Sequence, residues 1–209
     1  VPRIWERMQS EVIVQSNKKN LQSFFMRAAI KASAKFNNPW RKINIFLSLE
    51  KFFWELIVFR HIRNGLGLTK CRIAISGAAP ISKETLCFFR GLGVPLMEGF
   101  GMTETTGACT IQLLNQKSEG RIGFPFDGVE LKTAEDGELL IKGGCVFKGY
   151  YEDKKSSNNT IKEGWLYTGD IAEIYNDGSV SIIDRKKDIF ITSAGKNISP
   201  SIIENTMKA

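Results

Sequence analysis

Asp-Gly dipeptides stand at 127–128, 136–137 and 177–178, between short runs rich in β-branched and aromatic residues. Glycine supplies the left-handed backbone of a tight turn and aspartate holds it, so each pair ends one strand and starts the next. The runs they separate are RIGFPF, VELKT, GELLIKG, GWLYTGDIAEIY and SVSIIDR. From about residue 121 the chain is therefore expected to form a small antiparallel sheet or barrel-like subdomain.

The residues before it have another texture. CRIAIS (71–76) reads as a short buried strand, Gly77-Ala78-Ala79-Pro80 as a small-residue turn, and Ser82 as the cap of a helix with Glu84 and Thr85 in its first turn. VPLMEGF (94–100) reads as a second buried strand. Strand, turn, helix, strand is the order of an α/β sheet, in which ligands lie beyond the carboxyl ends of the strands. Residues 76–80 and 99–106 fall at such ends.

Further upstream, residues 4–36 carry apolar positions three and four apart and read as helical, up to the break at Asn37-Asn38-Pro39. INIFLSLEKFFWELIVFR (43–60) resumes the pattern, interrupted by Glu50, Lys51 and Glu55. It falls short of the roughly 20 apolar residues of a spanning helix. A buried helix is expected, with a helix lying on a membrane surface as the alternative. At the other end, DIFITSAGKNISPSIIENTMKA reads as strand, glycine loop and helix, with Ser199 as cap and Pro200 at the first position.

Composition limits the classes. Hydrophobic residues make up 43% and charged residues 24%, enough for a globular core. Cys71, Cys87, Cys109 and Cys145 form no CxxC pair and the one histidine is His61, so a zinc site is not expected. Free thiols suit a reducing compartment, and the chain shows no signal peptide at its start, so a cytoplasmic place is expected. Residues 1–70 hold 13 Lys/Arg against 4 Asp/Glu and the remainder 16 against 18, so the net +7 belongs to the first third. Such a segment suits either a solvated helical surface or peripheral contact with the cytoplasmic face of a membrane. Nucleic acid is not expected as a partner.

Three stretches carry chemistry. In GFGMTETTG (99–107), Gly99 and Gly101 allow close backbone approach, Phe100 offers a face to an aromatic base, and Thr103 and Thr105 offer hydroxyls to phosphate. Glu104 is a hard oxygen ligand of the kind magnesium accepts. On these residues alone a capped turn explains the stretch equally well. In GWLYTGD (164–170), Asp170 can accept hydrogen bonds from vicinal hydroxyls, or can simply be a turn residue. In DRKKDIFITSAGK (184–196), Arg185, Lys186 and Lys187 are either a solvated face or cations placed to meet phosphates.

SGAAP, GFGMTETTG, GELLIKG, YTGD and DRKKDIFITSAGKNISP follow one another through residues 76–200. In this order they resemble the adenylate-forming superfamily of acyl-CoA synthetases, luciferases and peptide-synthetase adenylation domains. VPRIWERM and FRHIRNGLGLTKCRIAISGAAPIS are most similar to long-chain fatty acyl-CoA synthetases. The resemblance implies an α/β fold class. Residues 1–184 would be the later part of the large domain, with a helical and parallel α/β part at 1–95 and an antiparallel β-rich part at 96–184. Residues 185–209 would be the hinge and the start of the small α+β C-terminal domain.

The resemblance also implies roles. Gly77, Ala78 and Ala79 line the adenine and acyl pocket. Gly99, Phe100, Gly101 and Met102 form the nucleotide loop, with Phe100 stacking on adenine. Thr103 contacts the α-phosphate and Glu104 binds magnesium. Asp170 holds the ribose hydroxyls beside Arg185, Lys187 is the hinge, and Gly195 lies near the pantetheine tunnel. ATP, magnesium and coenzyme A would serve a reaction on a fatty acid. The family's phosphate-gripping loop with its lysine and the catalytic lysine of its small domain are absent from the 209 residues. Little ligase activity is therefore expected of this chain alone. Three alternatives stay open: a fatty acyl-AMP ligase, although its insertion near the domain junction is not apparent between 184 and 200, another acyl- or aryl-CoA ligase, and a non-catalytic basic membrane-binding module.

Overall fold

The computed structural model describes residues 1–36, 45–114 and 120–188, and the backbone of 190–191 and 197–198. The calls on Ser199, Pro200 and Gly195 lie outside the described residues. The chain forms two compact units, one built on residues 1–98 and the other on residues 99–113 and 120–188.

The first unit is mostly helical. The span expected to be helical over 4–36 holds two helices, α1 (Pro2–Ser16) and α2 (Leu21–Ser33). Asn20 causes the break: its Oδ1 accepts the Ser23 amide at 2.7 Å, which satisfies one orphan donor of the new helix. α3 (Ile45–Trp54) runs through a π turn (Glu55–Phe59) into α4 (Arg60–Gly65). β1 (Ala74–Ser76), α5 (Lys83–Gly91) and the first half of β2 (Leu96–Met102) then make a parallel β-α-β step, with Ala74 opposite Leu96 and Ser76 opposite Glu98. Ser82 caps α5 as expected, its side chain accepting from the Thr85 amide at 3.1 Å. The core gathers Phe59, Phe89, Leu92, Val94 and Leu96, with Trp5 set edge-on against Phe89.

Two expectations for this unit need correction. No residue of α3 is buried, and Phe46 stays 84% exposed. Its apolar side chains circle the helix, while the unit covers only the side that leads to Val58 and Phe59. The strand expected at 71–76 shrinks to three residues, and Ile73 and Ile75 stand exposed.

The second unit is β-rich. The end of β2 pairs antiparallel with β3 (Gly107–Ile111), which pairs with β4 (Phe124–Pro125). A further antiparallel sheet has the order β5 (Val129–Thr133), β6 (Glu138–Gly143), β8 (Trp165–Ile174), β7 (Ile161–Lys162), with β9 (Val180–Arg185) also on β8. The short helix α6 (Lys154–Thr160), capped by Asp153, was not expected from the sequence. β10 (Phe190–Ile191) and β11 (Asn197–Ile198) pair antiparallel. The Asp-Gly turns at 136–137 and 177–178 close the β5–β6 and β8–β9 hairpins, with Gly137 and Gly178 both at φ +84°. The turn at 127–128 instead passes the chain from β4, a partner of β3, to β5, a partner of β6. Cys109, Leu139, Ile141, Leu166 and Val180 form the core.

Candidate functional site

In the first unit, β1 ends at Ser76 and the chain turns through Gly77, Ala78 and Ala79. Ala78 takes a left-handed backbone at φ +69°, and both alanines are exposed. The Ser76 hydroxyl is fully buried without a hydrogen-bond partner. Glu98, opposite Ser76 on β2, is 8% exposed, and its Oε1 accepts the Ile81 amide at 3.2 Å. Burial pushes the Glu98 carboxyl up to about 7, against the pull of the Ile81 amide and Arg90.

In the second unit, β2 continues through Gly99, Phe100, Gly101 and Met102, and only Thr103–Thr105 form a 3-10 turn. The stretch is thus strand as far as Met102, two residues beyond the strand expected at 94–100, and turn after it. A bulge between Phe100 and Gly101 lets it end in that turn. Gly101 serves the fold: a Cβ there would lie 1.9 Å from the Gly107 carbonyl oxygen across the strand pair. Phe100 is half-buried, packed against the core of this unit.

The two threonines differ. Thr105 is 1% exposed, and its hydroxyl accepts from the Met102 amide at 2.9 Å and faces the Gly107 carbonyl at 2.7 Å. It holds the turn and is not a phosphate donor, which corrects the expectation. Thr103 is exposed. Glu104 is fixed from a segment that the sequence reading passed over. Its carbonyl accepts the Phe147 amide at 2.8 Å, and its Oε1 accepts the Tyr150 hydroxyl at 2.7 Å. That bond raises the Tyr150 hydroxyl above its ordinary value. Only spatial proximity joins Tyr150 to Glu104, so no local motif announces the pair.

Asp170 lies on β8 and is 3% exposed. Its Oδ1 pairs with Arg185 Nε at 2.9 Å, while its buried Oδ2 has no hydrogen-bond partner. Burial pushes this carboxyl above the usual range, Arg185 pulls it down, and Glu138 and Asp184 push it up. An ionised carboxylate with one oxygen paired and the other buried and empty is an acceptor lacking a donor. The structure thus brings Asp170 and Arg185 together as the sequence led one to expect. Lys186 is engaged with Asp136 at 2.5 Å and Glu138 at 2.7 Å, whereas Lys187 is exposed. Arg185 and Lys186 are therefore paired cations, not an open basic face.

Among the described residues no group of three or more His, Cys, Asp or Glu could hold a metal. The donor set fits magnesium bound beside a nucleotide, which takes one or two carboxylates and completes its shell with phosphates and waters. A cavity of about 280 Å³ lies among the helices of the first unit, near Val12, Phe25, Val58 and His61, and none of the expected site residues lines it.

The chain is 37% identical over 165 residues to a long-chain-fatty-acid–CoA ligase, FadD15, of Mycobacterium bovis, covering 79% of this chain and 27% of that one. It is 38% identical over 218 residues to long-chain-fatty-acid–CoA ligase 5 of Mus musculus, covering 98% of this chain and 31% of that one. The chain thus spans about a third of the length of these relatives. Among solved structures, O-succinylbenzoate coenzyme A synthetase (MenE) of Bacillus subtilis, in complex with ATP and magnesium ion, superposes with a TM-score of 0.61 at 30% identity, over 65% of this chain and 31% of that chain. Residues 1–151 match the family model described as AMP-binding enzyme, and the chain belongs to that family.

Proposed function

We propose that the chain is the adenylate-holding part of an AMP-forming long-chain fatty acid–CoA ligase. The observation that carries this is Asp170, whose buried Oδ2 lacks the donor that a ribose hydroxyl would supply. The relatives named as long-chain-fatty-acid–CoA ligases supply the substrate class.

In such an enzyme a fatty carboxylate attacks the α-phosphorus of ATP, forming acyl-AMP and releasing pyrophosphate. The thiol of coenzyme A then attacks the acyl carbon and AMP leaves. Bound magnesium would supply positive charge to the phosphate oxygens. The chain's own residues divide the remaining tasks. Asp170 accepts the ribose hydroxyls, and Arg185 orients it. Phe100 presents its ring to adenine, and Gly99, Gly101 and Met102 carry the strand that presents it. The exposed Thr103 donates to the α-phosphate. Glu104, steadied by Tyr150 and the Phe147 amide, is the carboxylate for the cation. The resemblance assigns Gly77, Ala78 and Ala79 to the acyl and adenine side and Lys187 to the hinge.

The 209 residues lack the family's phosphate-gripping lysine loop and the small-domain catalytic lysine, so the chain is proposed to hold a nucleotide without completing the reaction. Titration with AMP should show saturable binding, weakened about tenfold or more by Asp170→Asn, because a charged acceptor contributes about 1.5–3 kcal/mol. ATP–pyrophosphate exchange with a fatty acid should be silent for this polypeptide, and robust turnover would sink that part of the proposal. We further propose peripheral contact with an anionic lipid surface through residues 1–70. The exposed apolar residues of α3 and the basic excess of that segment support it.

A further inference from the structure

We propose that Glu138 ties the Asp170 turn to the segment leaving β9. It would be the positioning residue through which a nucleotide at Asp170 orders residues 186–188. The proposal rests on the nucleotide reading of Asp170 given above.

Glu138 is the first residue of β6 and is 6% exposed. Its two oxygens serve different partners: Oε1 accepts the Gly169 amide at 2.8 Å, and Oε2 accepts Lys186 Nζ at 2.7 Å. The Lys186 amide in turn donates to the Gly169 carbonyl at 2.8 Å. Glu138, Gly169 and Lys186 therefore close a ring. Asp136 braces it, taking the Glu138 amide on Oδ1 at 3.1 Å and Lys186 Nζ on Oδ2 at 2.5 Å. Both acids raise the Lys186 amine well above its ordinary value.

The ring surrounds the functional carboxylate in sequence. Asp170 follows Gly169, and its partner Arg185 precedes Lys186. The backbone ladder is irregular here on both sides. The β6–β8 register shifts between Glu138 and Leu140, and the β8–β9 register shifts between Ile171 and Ala172. A bulge leaves amides without ladder partners and re-aims side chains. The Glu138 side chain takes one of those amides, at Gly169. A nearly buried carboxylate is costly unless its hydrogen bonds are filled, and here one oxygen is filled by the Gly169 amide, on the strand of Asp170 itself, and the other by Lys186, just past the end of β9.

The coupling follows from this geometry. A hydroxyl donated to Asp170 Oδ2 fills the buried acceptor left open there and stabilises residues 168–170 as they stand. Through Gly169 and Glu138 the same stabilisation opposes release of Lys186. Such coupling is reciprocal, so order at 186–188 favours the ligand in return. Lys187, where the resemblance places the hinge, is the next residue and is exposed.

Amide hydrogen exchange on the 209-residue chain tests this, with wild type, Glu138→Gln and Lys186→Met compared with and without saturating AMP. Glu138→Gln keeps the side-chain size and should fold. Without AMP it should speed exchange at Lys186 by about tenfold or more while the core strands around Leu139 and Leu166 stay protected. Lys186→Met should do the same at 186–188 yet leave Gly169 protected. AMP should slow exchange at 186–188 by about fivefold or more in wild type. Glu138→Gln should bind AMP more weakly by no more than the coupling factor, about fivefold, and transmit none of that slowing, a result that loss of stability alone would not give. Unchanged exchange at Lys186 in both variants, or AMP protection retained in Glu138→Gln, overturns the proposal. Absence of AMP binding by wild type overturns the nucleotide reading and the ligand half of the coupling, while the nucleotide-free comparison still decides whether Glu138 makes the tie.

Discussion

Thr103 and Thr105 flank the same glutamate and look interchangeable in the sequence, yet one is exposed and the other is fully engaged with backbone. Residue type announced hydroxyls near a phosphate site. Only the fold decides which of them the turn consumes. Asp170, whose place after Thr-Gly leaves it open between a turn residue and a hydroxyl acceptor, lies on β8, buried beside Arg185. Glu98 was not singled out, because nothing in MEGF tells a half-wetted acid from a buried one. Its carboxyl, raised from 4.5 to about 7, gives the residue a measurable signature. Between these values the folded state holds a proton that the unfolded state has released, so stability falls as pH rises through this window. The shift corresponds to roughly 3 kcal/mol across the window. Equilibrium denaturation of wild type and Glu98→Gln at pH 5 and pH 8 should show the wild type losing on the order of that amount relative to the variant. Parallel pH dependence of the two proteins would contradict the buried carboxyl.

At the scale of elements, the punctuation was legible and the coverage was not. Asp-Gly turns and the Ser82 cap each rest on local chemistry, and each stands where local chemistry puts it. α3 shows the opposite. Its spacing specifies a helix, but what lies against it depends on the rest of the molecule, so the burial expected from hydrophobicity is missing. β2 shows a third case, in which glycines suggested a loop and instead permit a close strand pair. Gly101→Ala would set a Cβ 1.9 Å from the Gly107 carbonyl oxygen and 2.6 Å from the Ala108 Cα. Backbone atoms on a paired strand cannot step aside, so the variant should lose about 2–4 kcal/mol. Gly144→Ala, whose Cβ would meet nothing within 4 Å, is the control and should change stability by less than about 0.5 kcal/mol. Urea denaturation of both checks this, and equal midpoints would mean that Gly101 is not a packing glycine.

At the scale of the whole molecule, charge and exposed apolar surface coincide in the same part of the chain. The basic excess lies entirely within residues 1–70, and the same segment carries Ile45, Phe46, Leu49, Phe52 and Phe53 exposed along α3 and Leu56 on the π turn after it. Among the described residues no helix is long and apolar enough to cross a membrane, so the lipid contact proposed is one made along the helix flank. Two forces then add. Attraction of basic residues to anionic headgroups is screened by salt, with a Debye length of about 10 Å at 0.1 M and about 3 Å at 1 M. Apolar insertion is not screened, and each large side chain contributes roughly 1.5–3 kcal/mol when fully buried. Sedimentation of the chain with vesicles rich in phosphatidylserine should therefore weaken as salt rises, and phosphatidylcholine vesicles should bind much less. The triple variant Phe46→Ser, Leu49→Ser, Phe52→Ser should bind about tenfold or more weakly to anionic vesicles at low salt, since it removes three insertions and no charge. Equal binding to neutral and anionic vesicles, or undiminished binding by the triple variant, would show that the apolar flank of α3 is not a lipid contact.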